Sequence, residues 1–402
     1  MRIAYISDTY LPETNGIVTA IVRHASWLAE RGHEFLIFCP RYGYDDPGAE
    51  ESLSVVRYPA WSATSNANTH VSFPRLWDMS VRLRRFAPDL VHVHTPLSLG
   101  MSGIMQARSL RIPLVQTYHS WVPGFMQYAT PSRLLNLDKG PRRMRDTLAS
   151  RLFTRALYNR SDLILAPSEA LCEVLRHEGI RPPIRYQTNG IDLAEFPPKT
   201  DWRLRKSIMH CGRFGFEKNI EIVVQAFAGF LHDHPDWELR LMGEGPAAPY
   251  LHSLVERLGI SRSVRFEGFV TRAKLAEAYR EADIYATAST IETQGLVLLE
   301  SMASGTPVVA VDALAAPEMA RDGASGIIVQ PYDAQAMAEA FGQLADNGAL
   351  RERLGRSALV EVQAHALGPA VDRLERTYTE LLATSPGRTK GYAWQEGTGS
   401  PK

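Results

Sequence analysis

Cysteine is scarce. Cys39, Cys172 and Cys211 are the only three in 402 residues, far apart and in no C-x-x-C spacing. That argues against a disulfide-stapled scaffold and a cysteine zinc site, and suits buried thiols in a reducing compartment. No apolar run reaches the ~18 residues a membrane span needs. Net charge is absent, with 44 Lys and Arg against 44 Asp and Glu, so nothing global points to nucleic acid. No Asp-x-Asp pair occurs, which removes one common way of holding a divalent cation. Met1-Arg2-Ile3-Ala4-Tyr5 runs straight into a strand pattern. The expectation is a cytoplasmic chain without a secretory leader.

What the chain does have is length and alternation. Its 402 residues, 45% apolar, suffice for two domains of about 100–200 residues each. Short apolar runs alternate with helix-period segments throughout, the pattern of parallel sheets with crossover helices. In the first half, residues 2–6, 35–39, 90–93, 114–117 and 163–166 read as strands, nearly all apolar, as expected when both faces are covered. Residues 15–30 read as a helix, with Ile17, Ile21, Ala25 and Leu28 on one face and Gly32 as a stop. In the second half, residues 208–211, 239–242, 264–267, 284–286, 308–311 and 327–329 read as strands, with helices such as 220–231 and 274–281 between them. The stretch 189–201, with Pro197 and Pro198, reads as the join, and 353–383 looks helical.

The expected fold class is therefore α/β, two Rossmann-like doubly wound domains facing across a cleft. The expected boundaries are 1–198, 199–366, a helix at 367–384 crossing back to the first domain, and a disordered tail at 385–402. Doubly wound sheets bind ligands at the carboxyl ends of their strands, which makes the cleft the natural site. The halves differ in charge: residues 1–199 carry 23 Lys and Arg against 18 Asp and Glu, and residues 200–402 carry 21 against 26. A basic first half favours an anionic partner.

The segment richest in chemistry begins Glu292-Thr293-Gln294-Gly295, continues through Leu296 and Val297 to Glu300, and ends in Gly305-Thr306-Pro307 before an apolar run. Physically it is a loop, a glycine, a short helix, a glycine cap and a buried strand. Gly295 permits close approach of a ligand to the backbone. The helix start offers free N–H groups and a positive dipole end, which suit a phosphate. Two carboxylates eight positions apart bracket that start and can accept hydrogen bonds from sugar hydroxyls. An ordinary helix with a solvated glutamate at each end fits the same residues.

This segment resembles the E-x7-E signature of the retaining GT-B glycosyltransferases of family four. Other ordered matches extend the resemblance over nearly the whole chain. They are the loop Asp8 to Val18 with Gly16, the motif from Gly212-Arg213 through Glu217-Lys218-Asn219, then Gly243-Glu244-Gly245-Pro246 and Gly268-Phe269-Val270. The resemblance implies a nucleoside-diphosphate sugar donor. Arg213 and Lys218 would hold its diphosphate, where a cationic clamp stabilises the leaving group's charge. Glu292 would contact hydroxyls of the transferred sugar, and Glu300 those of the ribose. His119 would lie beside the sugar, and Gly16 would give it room. Gly245, Phe269, Val270, Gly295, Leu296 and Val297 would complete the donor site. His119 could instead be satisfied by loop backbone, and Gly16 could be a simple turn.

His92 and His94 alternate on a strand and so share a face, but no third ligand is placed beside them. No metal or other cofactor is expected. The implied reaction retains anomeric configuration by same-face attack, a donor phosphate oxygen taking the acceptor's proton.

Many family members place Gly-Phe or Pro-Phe after the first glutamate, whereas this chain has Thr293-Gln294. With the Asp8 loop, that variant looks like the branch containing bacterial diacylglycerol glucosyltransferases. It implies UDP-glucose and a lipid acceptor. GDP-mannose is the other donor considered, and a soluble sugar or glycan the other acceptor. A nucleotide-sugar epimerase and a non-catalytic sensor share the same architecture. Between Arg133 and Arg160, six further bases, Lys139, Arg142, Arg143, Arg145, Arg151 and Arg155, interleave with Leu134, Leu135, Met144, Leu148, Leu152, Phe153 and Leu157. Such a segment can lie on an anionic bilayer such as the inner face of the plasma membrane. It can equally be a packed helix with a solvated basic face. The apolar stretch from Trp121 to Met126 could form an acceptor lip.

Overall fold

The structure is a computed structural model of the chain. It describes residues 1–42, 53–62, 70–72, 74, 76–119 and 151–384. The lip read at 121–126, most of the basic segment (133–150) and the tail at 385–402 lie outside the described residues. The chain divides into two compact units. One comprises Met1–Pro167, Cys172–Gln187 and Val371–Lys402, the other Ser168–Leu171 and Thr188–Ala370.

The first unit is built on strands β1 (Arg2–Ile6), β2 (Glu34–Arg41), β3 (Ser54–Ser62), β4 (His70–Ser72), β5 (Leu90–Val93), β6 (Leu114–Thr117), β7 (Leu163–Ala166) and β8 (Ile184–Tyr186), in the order β4-β3-β2-β1-β5-β6-β7-β8. Neighbours are parallel, except that β3 and β4 pair antiparallel at one edge. Ile3, Ala4, Tyr5 and Ile6 on β1 are fully buried, which is why an unbroken apolar run marks this central strand. The helix Gly16–Glu30 starts at Asn15, whose side-chain oxygen accepts from the N–H groups of Ile17 and Val18, both at 3.0 Å. That is N-capping by side chain.

The sequence reading missed β3, β4 and β8. Arg57 and Pro59 interrupt the apolar pattern of β3, and β8 has three residues alternating half-buried and exposed at the sheet edge. The stretch 353–383, read as helical, holds two helices. Helices Gly348–Glu361 and Leu367–Ala383 flank a 3-10 turn, Val362–His365. Within 189–201, Ile191 is tied by backbone to residues 365–367. Ile191 N–H donates to His365 O at 2.9 Å, and Leu367 N–H donates to Ile191 O at 2.9 Å.

In the first unit the last helix buries Tyr378, whose hydroxyl lies 3.1 Å from that of Tyr5 and 2.5 Å from His92 Nδ1. Arg31 also pairs with Asp372 and Glu375, each at 2.7 Å.

The second unit carries strands β9 (Ser207–Cys211), β10 (Glu238–Met242), β11 (Val264–Gly268), β12 (Ile284–Ala286), β13 (Val308–Val311) and β14 (Gly326–Val329), all parallel, in the order β11-β10-β9-β12-β13-β14. All six expected strands are present. Helices Ile220–Phe230 and Ala334–Asp346 cover one face, with Phe227, Phe230 and Phe341 in the core. The helix Leu296–Ala303 packs Leu298, Leu299 and Met302 into a second cluster with Tyr279 and Tyr285.

Candidate active site

In the second unit, β9 leads into Gly212 and Arg213, and β10 leads into Gly243 to Gly245. The two loops are stitched together by backbone. Gly212 N–H donates to Met242 O at 3.0 Å, Phe214 N–H to Glu244 O at 2.8 Å, and Ala247 N–H to Phe214 O at 2.8 Å. A Cβ on Gly243 would stand 1.9 Å from Gly212 O, and one on Gly245 would stand 2.5 Å from Phe214 O. Gly245, expected at the donor, is thus first a close-approach glycine within its own unit.

The β9 loop continues into a 3-10 turn, Phe216–Lys218, closed by Asn219 in the left-handed region at φ 49°. Asn219 Nδ2 donates to Ala288 O at 3.1 Å, which ties the turn to the loop after β12. Lys218 Nζ then donates to Glu292 Oε1 at 2.6 Å. Burial pushes the Glu292 carboxyl up, but the Lys218 charge and hydrogen bond outweigh it and hold the group below the ordinary carboxylate range. Arg213 ends elsewhere, in an ion pair with the nearly buried Glu217 carboxylate.

Gly295 (φ 79°) opens the helix Leu296–Ala303. One turn on, the buried Glu300 receives Arg272 Nη1 on Oε1 at 2.8 Å and the Tyr279 hydroxyl on Oε2 at 3.2 Å. Arg272 also binds Glu195 at 2.7 Å and lies over the Phe196 ring. Leu296, Val297 and Val270 are half-buried against the Tyr279 cluster, while Phe269 is 70% exposed. Lys218, Glu292, Gly295 and Glu300 therefore occupy one turn, loop and helix start. Arg213 lies in the loop before that turn and pairs with Glu217 within it.

Two expected residues belong to the first unit. Gly16 is the exposed first residue of its helix. His119 is half-buried just past β6. Burial and the nearby His24 pull its pKa down to about 3, so it is a neutral imidazole.

The sequence reading missed several supporting groups. Gln294 is buried; its Nε2 donates to Thr188 Oγ1 at 2.6 Å and its Oε1 accepts from Asn189 N–H at 3.0 Å. Ser168 Oγ donates to Thr293 O at 2.7 Å. The 292–295 loop is held from two sides by residues over a hundred positions upstream. Its departure from the commoner family form was the available signal. Glu217, Arg272 and Tyr279 also hold site residues. His210 on β9, buried, donates from Nδ1 to Ala286 O at 2.8 Å.

Comparison with known proteins gives the family and the fold. Residues 195–359 match the model described as Glycosyl transferases group 1, and residues 14–195 match Glycosyltransferase Family 4. An alpha-monoglucosyldiacylglycerol synthase of Streptococcus pneumoniae is 30% identical over 324 residues, 77% of this chain and 71% of that protein. The chain belongs to glycosyltransferase family four. This glycosyltransferase is also 29% identical, over 78% of its own length and 80% of the relative's, to a GDP-mannose-dependent alpha-mannosyltransferase of Mycolicibacterium smegmatis. Its fold is GT-B. Anabaena HepE, solved in complex with UDP-glucose, superposes with TM-score 0.73 at 18% identity, over 94% of this chain and all of that one.

Proposed function

We propose that this glycosyltransferase moves glucose from UDP-glucose to a membrane lipid such as diacylglycerol, with retention of configuration and without a catalytic metal. The observation that carries the donor half is the Lys218–Glu292 pair at the mouth of the helix bearing Glu300. Arg213 and Lys218 receive the diphosphate, Glu292 the sugar hydroxyls and Glu300 the ribose. The N–H groups of Leu296 and Val297 at the helix start add positive potential. His119 and Gly16 serve the sugar, and Phe269 and Val270 the base. The donor's own phosphate oxygen takes the acceptor proton. The protein supplies orientation and charge rather than an acid–base pair.

The lipid half is supported by the relative named for a glucosyl diacylglycerol product and by the basic, leucine-rich composition between Arg133 and Arg160. Among the described residues no helix is long and apolar enough to cross a membrane, so contact with the bilayer would be peripheral. A GDP-mannose donor is the second reading, favoured by the similar identity to the mannosyltransferase.

A thermal-shift panel of UDP, GDP and ADP tests the donor. The matching nucleotide at 100 times its Kd adds about 2.7 kcal/mol. UDP should stabilise most, and a larger shift with GDP favours the mannosyl reading. Incubation with UDP-glucose and diacylglycerol vesicles should then give an α-glucolipid. A β-linked product overturns retention, and an altered sugar nucleotide without acceptor indicates an epimerase.

A further inference from the structure

In the second unit the end of β9 and the turn beyond it are joined in succession to the end of β12 and its loop. His210 Nδ1 donates to Ala286 O at 2.8 Å, Asn219 Nδ2 to Ala288 O at 3.1 Å, and Lys218 Nζ to Glu292 Oε1 at 2.6 Å. Asn219 Nδ2 also lies 3.4 Å from Thr290 Oγ1.

Asn219 stands directly before the helix Ile220–Phe230, where an asparagine ordinarily caps the helix through its side-chain oxygen. Here the backbone is left-handed, at φ 49° and ψ 39°, and among the described residues the side chain makes no capping bond to that helix. A backbone carbonyl only accepts, so the contact with Ala288 O turns the amide N–H groups toward the loop. The residue is 9% exposed and Ala288 1%, so little water competes for the bond. Asparagine is among the few residue types that take the left-handed conformation and still offer a donor.

A lysine cannot set this geometry by itself. Its ammonium is a point charge on a flexible four-carbon stem. It stays 2.6 Å from Glu292 only while the backbone at 218 and the loop at 292 keep a fixed separation. The Asn219 tie begins at the next residue in the chain and ends four positions before Glu292. It involves no charged group, so it survives when an anion draws Lys218 away from Glu292.

We propose that Asn219 is a positioning residue acting through Lys218. Its amide holds turn and loop at one separation, so that the Lys218 ammonium and the Glu292 carboxylate meet the donor's diphosphate and sugar in register. The donor clause rests on the function proposed above, whereas the positioning of the pair does not.

The test uses the full chain with 13C-labelled glutamate, Glu292 being assigned by its loss in Glu292→Gln, together with steady-state kinetics on UDP-glucose and diacylglycerol vesicles. Asn219→Gly keeps the left-handed backbone without steric cost and removes the amide. Asn219→Ser, neutral and too short to reach Ala288 O, replaces it if the glycine variant fails to fold. In the wild type, burial raises the Glu292 carboxyl, and the Lys218 charge and hydrogen bond bring it below the ordinary range. Its titration midpoint should rise in Asn219→Gly, to between wild type and Lys218→Met. The kcat should fall about tenfold, as misplacement of a working group predicts, with little change in donor KM. On a Lys218→Met background, Asn219→Gly should lower kcat no further, since the two residues act as one unit. An unchanged Glu292 midpoint overturns the positioning. A full additional tenfold loss in the double variant overturns the route through Lys218. A raised midpoint with wild-type kcat overturns the donor clause and leaves the positioning standing.

Discussion

The ammonium of Lys218 sits 2.6 Å from Oε1 of Glu292, joining the turn after β9 to the loop before the helix Leu296–Ala303. Cation and carboxylate are both less than a quarter exposed. On the proposed function the cation faces the departing diphosphate and the carboxylate the sugar. Lys218→Met should therefore lower kcat by about 10²–10³, equivalent to ~3–4 kcal/mol. Lys218→Arg should retain part of the rate, because charge survives while geometry changes. Steady-state kinetics with UDP-glucose decides it, and a Lys218→Met enzyme with wild-type kcat removes Lys218 from the mechanism.

The same pair has a pH signature that needs no substrate. Glu292 is held below its ordinary range, so its contribution to stability is present above the unfolded value of about 4.3. It is lost as pH falls through the folded value. In Lys218→Met only burial and the remaining neighbours act on Glu292, and the carboxyl rises. A raised group contributes below its unfolded pKa and loses that contribution as pH climbs through the folded one. The stability gap between wild type and variant should thus be small near pH 4 and widen toward pH 7, as melting curves across that range would reveal.

Gly212 and Gly243 have nearly the same backbone twist, φ 143° and 141°, but different neighbours. A Cβ on Gly212 meets nothing within 4 Å, whereas one on Gly243 meets Gly212 O at 1.9 Å. Gly212→Ala should cost only the backbone strain, about 1–3 kcal/mol. Gly243→Ala must also force two stitched loops apart and should cost more than 4 kcal/mol. Comparable melting temperatures for the two variants would contradict this account.

These cases mark what a reader of the sequence can and cannot see. Long apolar runs such as 2–6 and 308–311 announced central strands because burial on both faces leaves no room for polar residues. The glycine and carboxylates of the 292–300 segment stood out by residue type, because close approach and charge are selective, and the glycines and charged residues of 212–218 through the family resemblance. Ser168 was not legible, and Gln294 showed only as a departure from the commoner family form. Their role depends on partners more than a hundred residues away, and a lone Gln or Ser carries no local period. The tie between Ile191 and the 365–367 backbone was hidden for the same reason, since backbone hydrogen bonds leave no trace in side-chain chemistry.

Buried neutral histidines should make the protein acid-sensitive well above the carboxylate range. Burial lowers the pKa of His92 and His94 far below 6.5 and that of His210 to about 4. Below about pH 6.5 the unfolded chain takes up protons that the native state refuses, so stability falls with acidification. Each such group contributes about 1.4 kcal/mol per pH unit through that window. Denaturant unfolding at pH 7, 6 and 5 should show a falling stability. His210→Phe should flatten the slope by roughly one histidine's share, about 1.4 kcal/mol per pH unit, whatever it does to the absolute value. An unchanged slope would mean that His210 titrates normally in the folded protein.

Gln294 offers the sharpest separation between holding a loop and touching a substrate. Its amide joins Thr188 and Asn189 to the loop carrying Glu292, and the side chain is 2% exposed. Gln294→Leu keeps the bulk and removes both hydrogen bonds, which should cost about 1–3 kcal/mol because the polar groups left behind are buried. Ser168→Ala loosens the same loop from its other side, by removing the bond to Thr293 O. If the loop is one mechanical element, the two changes should not add. The double variant should lose less than the sum of the singles, since the second release acts on a loop already free. Both singles should lower kcat about tenfold, in line with the sensitivity of catalysis to ~1 Å misplacements. Full additivity in stability and rate would show instead that Gln294 and Ser168 act on separate parts of the unit.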